Sequence, residues 1–225
     1  YALDQIINDR GVRIDKALVK KAIAVDSEFS ARAYQKAQEI TGLENPGSVS
    51  QLKAWLADQD VPMESLAKKL VKEKAAETDG IVGELLKLRL ELSKTSVKKY
   101  EAMARSVCKD GRVHGTLQFY GANRSGRWSG RLVQLQNVPQ NHLPDLDLAR
   151  EIVKNGEVDT IELLYGSVPN TLSELIRTAF IPKDGCQFIV ADFSAIEARV
   201  LAWLAGEDWV LDEFRGMGRI YEATA

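Results

Sequence analysis

The chain has 225 residues, of which 45% are hydrophobic and 28% charged, and its net charge is −2. These values suit one or two globular domains with a sizeable core. No apolar run approaches the ~20 residues that span a bilayer, and no signal peptide is visible, so a membrane protein is not expected. Cys108 and Cys186 form no C-x-x-C pair and are expected to be reduced thiols of a cytoplasmic protein, with a bridge left open.

The first hundred residues have the periodicity of helices joined by short connections. Asp15 is a plausible N-cap and Gly42 a plausible stop for the first of these helices. Turn residues at 44–48 and 78–80 separate the helices that follow. The predicted helices cover 12–41, 50–61, 63–76 and 80–104.

The pattern changes to mixed short elements after residue 109. Alternation predicts a strand over 113–119, and residues 120–142 are expected to be mostly irregular. Ser173 is a possible N-cap for the last of three helices, and a second strand leads into a fourth helix. The helices are predicted over 144–155, 158–165, 173–180 and 195–204, and the second strand over 187–191. The fold class expected is α+β, mostly helical, with a small antiparallel sheet.

Positive charge is concentrated in one segment. From Lys94 to Arg131 there are nine basic and two acidic residues, a net charge of +7, which leaves −9 for the remainder. A solvated face is the simplest interpretation of such a run. Aromatic residues at 100, 119, 120 and 128 lie among the charges, however, and this combination is typical of a surface that binds nucleic acid.

An apolar run at 188–191 ends in Asp192 and is followed by a helical pattern. A carboxylate between a strand and a helix commonly holds a divalent cation, although it can also only complement the helix dipole. Ser194 and Glu197 have the spacing of a capping box, S-x-x-E. The string from Asp192 to Arg199 reads D-F-S-A-I-E-A-R.

This string resembles motif A of family-A DNA polymerases, whose usual form is D-Y-S-Q-I-E-L-R. Other stretches resemble the same family in the same order. They are R-V-H at 112–114, G-R-W-S at 126–129 (family T-G-R-L-S-S), L-Q-N-V-P at 135–139, I-R-T-A-F at 176–180 and I-Y-E-A-T-A at 220–225.

The resemblance implies a helical connector and thumb over 1–105 and a partial palm over 106–225. It also implies that Asp192 binds two Mg²⁺ ions and is catalytic, and that Phe193 contributes its backbone carbonyl to one of them. The expected nucleotide-binding residues are Ser194, Arg177 and Glu197, the last as a steric gate against ribose. The expected DNA-binding residues are Lys94, Thr95, Arg124, Arg127, Arg131, Gln136 and Asn137.

The expected function is therefore that of a fragment of a DNA-directed DNA polymerase. Its partners would be primer–template DNA and deoxynucleoside triphosphates, and a monomer is expected. Tyr1 and Ala225 both look like cut ends, and no second palm motif or fingers helix is visible, so the fragment is expected to bind duplex DNA without catalysis. Ala195, Ala198 and the long connection at 140–170 depart from the bacterial pattern and suggest a phage or prophage branch. The alternatives are a metal-dependent nuclease and a non-catalytic duplex-binding module.

Overall fold

The structure is a computed structural model that describes residues 1–216, and the chain forms two structural units along them. The first unit is Tyr1–Asp184, and the second begins at Gly185. Residues 220–225, whose sequence resembles the start of the fingers, lie outside the described part. Within residues 1–216, no helix is both long and apolar enough to cross a membrane.

Helices make up most of the first unit. Several enclose two hydrophobic clusters, and one of these clusters contains most of the buried face of the longest helix described, α2. In chain order the helices are α1 (Ala2–Arg10), α2 (Lys16–Thr41), α3 (Val49–Asp58), α4 (Lys68–Glu77), α5 (Gly80–Leu92), α6 (Val97–Ser106), α7 (Leu146–Asn155), α8 (Val158–Tyr165) and α9 (Val168–Leu175).

The ends of α2 are fixed by local chemistry. The Asp15 carboxylate accepts the Leu18 N–H at 3.0 Å, which confirms Asp15 as the N-cap. The helix stops at Gly42, where a φ of 67° places the backbone in the left-handed region that glycine tolerates best. Asp15 also pairs with Arg150 (2.8 Å) and Lys154 (3.2 Å), both on α7. Ion pairs therefore hold the start of α2 against α7, a helix that is distant in the sequence.

Two helix predictions in the first unit are wrong in detail. The helix expected over 80–104 is broken between α5 and α6, because hydroxyl side chains there bond to backbone carbonyls and compete with the helix. Ser93 Oγ donates to the Leu90 carbonyl at 2.7 Å. The helix expected over 173–180 is instead α9, capped by Ser167 rather than Ser173, followed by a 3₁₀ turn at Ile176–Ala179.

Five short strands form two antiparallel sheets in the described residues. The strand β1 (Val12–Ile14) lies between β2 (Arg112–Val113) and β5 (Phe180–Ile181), and β3 (Leu117–Ala122) pairs with β4 (Arg127–Gly130). Three sequence expectations change as a result. Residues 12–14 are a strand and not the start of α2, and the strand expected over 113–119 is divided between β2 and β3. The region 120–142, expected to be mostly irregular, contains the end of β3, the turn and all of β4.

Buried Tyr100 links the helical and mixed parts of the first unit. Its hydroxyl donates to the Leu172 carbonyl at 2.6 Å, and burial raises the pKa of this phenol. The α6 helix that carries Tyr100 is thereby held against α9.

The second unit contains α10 (Ile196–Ala205) and α11 (Asp208–Arg215). The strand predicted over 187–191 is absent, since residues 186–193 have no regular structure. A strand needs a neighbour to satisfy its backbone donors and acceptors, and none of the described strands pairs with this segment. Ser194, which has the spacing of a capping box with Glu197, is not the N-cap of α10; that position is Ala195, with a φ of 51°.

The fold class is α+β, mostly helical with a small antiparallel sheet, as the sequence predicts. The structural division falls after Asp184 because β5 returns to pair with β1 near the N-terminus. The division into a thumb over 1–105 and a palm over 106–225 is a functional one and stays a prediction.

Candidate functional site

A polar cleft of about 350 Å³ opens on the first unit beside the break between α5 and α6. Its other walls come from α9 and from a 3₁₀ turn at Leu135–Asn137. The cleft brings together three of the predicted DNA-binding residues, Lys94, Thr95 and Asn137. The remaining polar lining includes Lys68, Ser93, Ser96, Lys99, Asn170 and Ser173.

The three lysines of the cleft differ in how they are held. Lys94 Nζ pairs with Glu91 at 2.9 Å and lies 3.4 Å from Ser167 Oγ, so part of its charge is already neutralised. Lys99 Nζ donates to the Val133 carbonyl at 2.8 Å, which leaves its charge uncompensated. Lys68 is exposed at the start of α4 and makes no ion pair with the described residues. The cleft is therefore a cationic surface with neutral hydroxyl and amide donors between the charges.

Arg177 fixes the segment that carries Asn137. Its Nε donates to the Pro139 carbonyl at 2.6 Å and its Nη2 to the Val138 carbonyl at 3.1 Å. Sequence reasoning missed this positioning role, because the spacing between residues 139 and 177 contains no local signal for it. A nucleotide-binding role for Arg177 stays a prediction and would have to coexist with these bonds or replace them.

Gln136 and Asn137 are positioned by short-range contacts. The Asn137 side chain donates to Gln134 Oε1 at 3.1 Å. The Gln136 amide lies against Gly130 so closely that a Cβ at this glycine would be 2.1 Å from Oε1. A side chain at this position would displace the Gln136 amide, so glycine lets the end of β4 and the L-Q-N turn pack closely as they do here.

The hairpin β3–β4 carries the three predicted DNA-binding arginines. Arg127 is exposed on β4, Arg124 is exposed in the turn, and Arg131 follows β4. Arg131 Nε donates to Gln118 Oε1 at 2.9 Å, a neutral acceptor that leaves its charge in place. The hairpin is thus a second cationic surface of the first unit.

In the second unit, Asp192 lies in the irregular segment before α10, where Phe193 is also exposed. A carboxylate and a backbone carbonyl are hard oxygen donors of the kind that Mg²⁺ prefers. However, no group of three or more acidic, histidine or cysteine side chains that could hold a metal is found among residues 1–216. The donor types at Asp192 and Phe193 therefore fit magnesium, but a two-ion site would need further acidic ligands.

Arg199 organises the turn that follows Asp192. Its Nε donates to the Ser194 carbonyl at 2.8 Å and its Nη1 to the Phe214 carbonyl at 3.2 Å, while the guanidinium lies 4.4 Å from the centre of the Phe214 ring. One side chain thus joins the start of α10 to the end of α11. In the sequence, Arg199 is only the last residue of the motif that begins at Asp192. Its role in joining the two helices is seen only in the structure.

Comparison with known sequences assigns the chain to a protein family. The sequence model of DNA polymerase family A matches residues 18–225, so the chain belongs to that family. All of the chain is 58% identical to a DNA polymerase of Bacillus phage SP02, of which it covers 35%. This likeness supports the expected relation to a phage branch.

Bacterial relatives are more distant. DNA polymerase I of Pseudomonas aeruginosa is 28% identical over 97% of the chain, and the thermostable DNA polymerase I of Thermus thermophilus is 27% identical over 96%. The chain covers 22% and 24% of these two proteins. It therefore spans about a third of the phage relative and less than a quarter of each bacterial one.

Proposed function

We propose that the chain is the thumb (1–105) and the N-terminal part of the palm (106–225) of a DNA-directed DNA polymerase. The whole protein would act as a monomer on primer–template DNA and deoxynucleoside triphosphates in the cytoplasm. The observation that carries this proposal is the polar cleft, where Lys94, Thr95 and Asn137 meet from separate parts of the sequence. These residue types at one surface suit the phosphates of a DNA backbone.

Binding in the cleft is electrostatic and independent of sequence. Lys68 and Lys99 supply charge that no described acid pairs with, while Thr95 and Asn137 supply neutral donors. Arg124, Arg127 and Arg131 extend the positive surface on the hairpin. An arginine in the minor groove can test base-pair geometry, because that groove presents acceptors at similar places in every base pair. We assign this role to Arg127, and a supporting role near it to Gln136.

The chemical step of the whole protein would depend on Asp192. Its carboxylate and the Phe193 carbonyl would hold two magnesium ions together with acids outside the described residues. Magnesium, when bound, would stabilise the attacking 3′-oxygen and the leaving pyrophosphate of the nucleotidyl transfer. Because two ions need more than one carboxylate, the isolated chain should bind DNA without extending a primer.

In the whole polymerase, Ser194 and Glu197 would contact the incoming nucleotide, and Arg177 is a separate candidate for nucleotide binding. We assign to Glu197 the exclusion of a ribose 2′-hydroxyl. In the whole polymerase, Glu197→Ala should raise the ratio of kcat/KM for ribonucleotides over deoxynucleotides by about 10- to 100-fold. If Glu197 serves only to cap α10, the variant should instead lose about 0.5–2 kcal/mol of stability with an unchanged ratio. Steady-state incorporation and thermal unfolding, measured together, distinguish the two roles.

The proposed DNA grip is tested with the chain itself. Fluorescence anisotropy with a primer–template duplex should give measurable binding at low salt and a steep loss of affinity as salt rises. Each phosphate contact should contribute about −0.9 to the slope of log affinity against log salt. Lys68→Ala and Lys99→Ala should each reduce the steepness, whereas Lys36→Ala, which removes a lysine paired with Glu84, should not. A flat salt response of the unmodified chain would contradict the proposal.

A further inference from the structure

Three large aromatic side chains of the β3–β4 hairpin are turned toward solvent. Phe119, Tyr120 and Trp128 are 50%, 62% and 40% exposed. They contact one another, with ring centres 5.5 Å apart for Phe119 and Trp128 in an edge-to-face arrangement, and 6.3 Å apart for Phe119 and Tyr120. Such rings usually fill a core, so an exposed group of three indicates a surface with a partner.

The backbone of the hairpin holds this aromatic cluster (Phe119, Tyr120 and Trp128) in place. Tyr120 has a φ of 53°, which is unfavourable for a bulky residue. Its ring lies against Gly126 in the turn, where an added Cβ would come within 2.7 Å of a ring carbon. The cluster is therefore a fixed feature of the hairpin. The family pattern at 126–129 places leucine where this chain has Trp128, so the pattern itself does not account for the cluster.

The surroundings of the aromatic cluster are cationic. Between Gly111 and Pro144 the chain has four arginines and no acidic residue. Arg124, in the hairpin turn, forms no ion pair with the described residues, and Arg131 is bonded to a neutral amide. One carboxylate does reach the hairpin, since Asp4 of α1 accepts the Phe119 N–H at 3.2 Å. The predominant charge beside the rings nevertheless complements a polyanion.

Aromatic rings beside arginines fit an unpaired nucleic-acid strand better than they fit an apolar protein surface or a duplex. An apolar partner would remove the arginines from water without compensation. In a duplex the bases already stack on each other, so they can stack on a protein ring only after unstacking. Unpaired bases stack freely on aromatic side chains while neighbouring cations hold the phosphates.

We propose that the aromatic cluster is a stacking site for unpaired bases of single-stranded DNA, additional to the duplex contacts proposed for the polar cleft and for Arg127. This proposal rests on the proposed function, in which the protein binds DNA. It adds that the hairpin prefers single-stranded segments of that DNA. In the whole polymerase it would hold an unpaired stretch adjoining the duplex. The stacking contribution carries no charge, so it should not depend on salt, unlike the phosphate contacts.

The test compares two ligands and two matched tryptophan variants of the chain. Fluorescence anisotropy measures binding of a 16-nucleotide single strand and of a blunt duplex across a salt series. Trp128→Ala should weaken single-strand binding about 5- to 150-fold, with the salt slope unchanged and duplex affinity within about twofold. Trp209→Ala is the control, because this tryptophan is 51% exposed and lies in the second unit, outside the cationic segment of the sequence. It should change neither affinity.

Each outcome has one meaning. If the unmodified chain binds neither ligand at low salt, the proposed DNA grip itself fails. If the unmodified chain binds the duplex but Trp128→Ala leaves single-strand affinity unchanged, or lowers both affinities equally, the stacking site is refuted. The proposed DNA grip is then unaffected. Should Trp128→Ala unfold, Trp128→Leu and photocrosslinking of a bromouracil-containing strand to the unmodified chain decide the matter. Crosslinks at Tyr120 or Trp128 are expected, and crosslinks confined to other residues overturn the proposal.

Discussion

The two units differ most in what happens to their apolar side chains. In the first unit, a long list of leucine, valine and isoleucine residues is buried in two clusters, including Leu18 and Leu172 at 0% exposure. In the described part of the second unit, only Ala202 and Phe214 are buried hydrophobic residues, while Ile189 and Val190 are 88% and 89% exposed. The first unit thus has a core of its own, whereas residues 185–216 of the second unit bury few apolar side chains.

This difference concerns how functional residues are positioned. The key cleft residues lie in the break between α5 and α6 and in a 3₁₀ turn. The helices that flank the break belong to a packed core, which fixes the position of these residues. Asp192 stands in an irregular segment, and the turn after it is held chiefly by the bonds from Arg199. A rigid frame suits the proposed DNA grip, whereas the segment of Asp192, to which the chemical step is assigned as a proposal, is held by few described contacts. Four experiments test this contrast.

The largest effect is expected where the chemistry depends on a single side chain. In the whole polymerase, Asp192→Ala should lower the rate of incorporation by at least about 1,000-fold, because it removes a charge-stabilising metal ligand. Duplex affinity should stay nearly unchanged, since the proposed DNA grip belongs to the first unit. Rapid-quench kinetics and anisotropy measure the two quantities. Asp208→Ala, an exposed acid of the same unit, is the control and should leave both unaltered, and lost DNA binding with retained chemistry would reverse the assignment.

A matched pair of leucines tests the packing contrast directly. Leu172→Ala in α9 should destabilise the first unit by about 2–5 kcal/mol, because it leaves a cavity in a full core. Leu201→Ala in α10, where the leucine is 68% exposed, should change stability by less than about 0.5 kcal/mol. Urea unfolding followed by circular dichroism measures both. Equal losses at the two positions would mean that the second unit has a core that the exposures do not reveal.

The Asp15 cluster tests whether charge contributes to the first unit besides packing. Partial burial opposes ionisation, but the Leu18 N–H, Lys154 and Arg150 outweigh it and hold the pKa of Asp15 below its usual value. Asp15→Ala should cost about 1–3 kcal/mol near neutral pH, and Asp15→Asn less, because the amide can still cap.

The pH dependence of this effect has a defined sign. Because the pKa is lower in the folded chain, the stabilisation is present above the unfolded pKa of about 3.9 and disappears as the pH falls through the folded value. The difference in the free energy of unfolding between the unmodified chain and Asp15→Ala should therefore be constant from about pH 5 to 8 and become smaller in acid. A difference that grows on acidification would contradict the cited pairing.

The smallest effect is expected at an exposed pair of the first unit. Asp110 bonds to His114 Nε2 at 2.9 Å and raises the pKa of this imidazole. The stabilisation is present below the unfolded pKa of about 6.5 and is lost as the pH rises through the folded value. NMR titration should show the His114 pKa returning toward 6.5 in Asp110→Asn. His142→Gln assigns the other histidine resonance, and an unchanged pKa would mean that the pair is not formed in solution.

Local chemistry explains which parts of the fold the sequence predicts correctly. Asp15 and Gly42 bound α2 as expected, because an N-cap and a left-handed glycine act within one turn of the helix. The same kind of signal fails at Ser173, since Ser167 is an equally good cap and packing of α9 decides between them. The break at Ser93 could not be predicted either, because it depends on which carbonyls the hydroxyl side chains contact in the folded chain.

Long-range pairing explains most of the remainder. The β1 strand and the Arg177 bonds to residues 138 and 139 depend on parts of the chain that no sequence window contains. The predicted strand at 187–191 has the right composition, but composition cannot supply a neighbouring strand. For the candidate site, the motif residues were identified by resemblance, and their grouping in the polar cleft could be seen only in three dimensions.

The position of β1 has a consequence for the order in which the protein folds during synthesis. Arg13 pairs with Arg112 on one side and with Ile181 on the other, so one neighbour is made about 100 residues later and the other about 170. A ribosome adds roughly 5–20 residues per second, so the backbone N–H and C=O groups of β1 lack their strand partners for many seconds during synthesis. Helices such as α2 can form meanwhile, so closure of this three-stranded sheet is expected to be the late event that ties the first unit together.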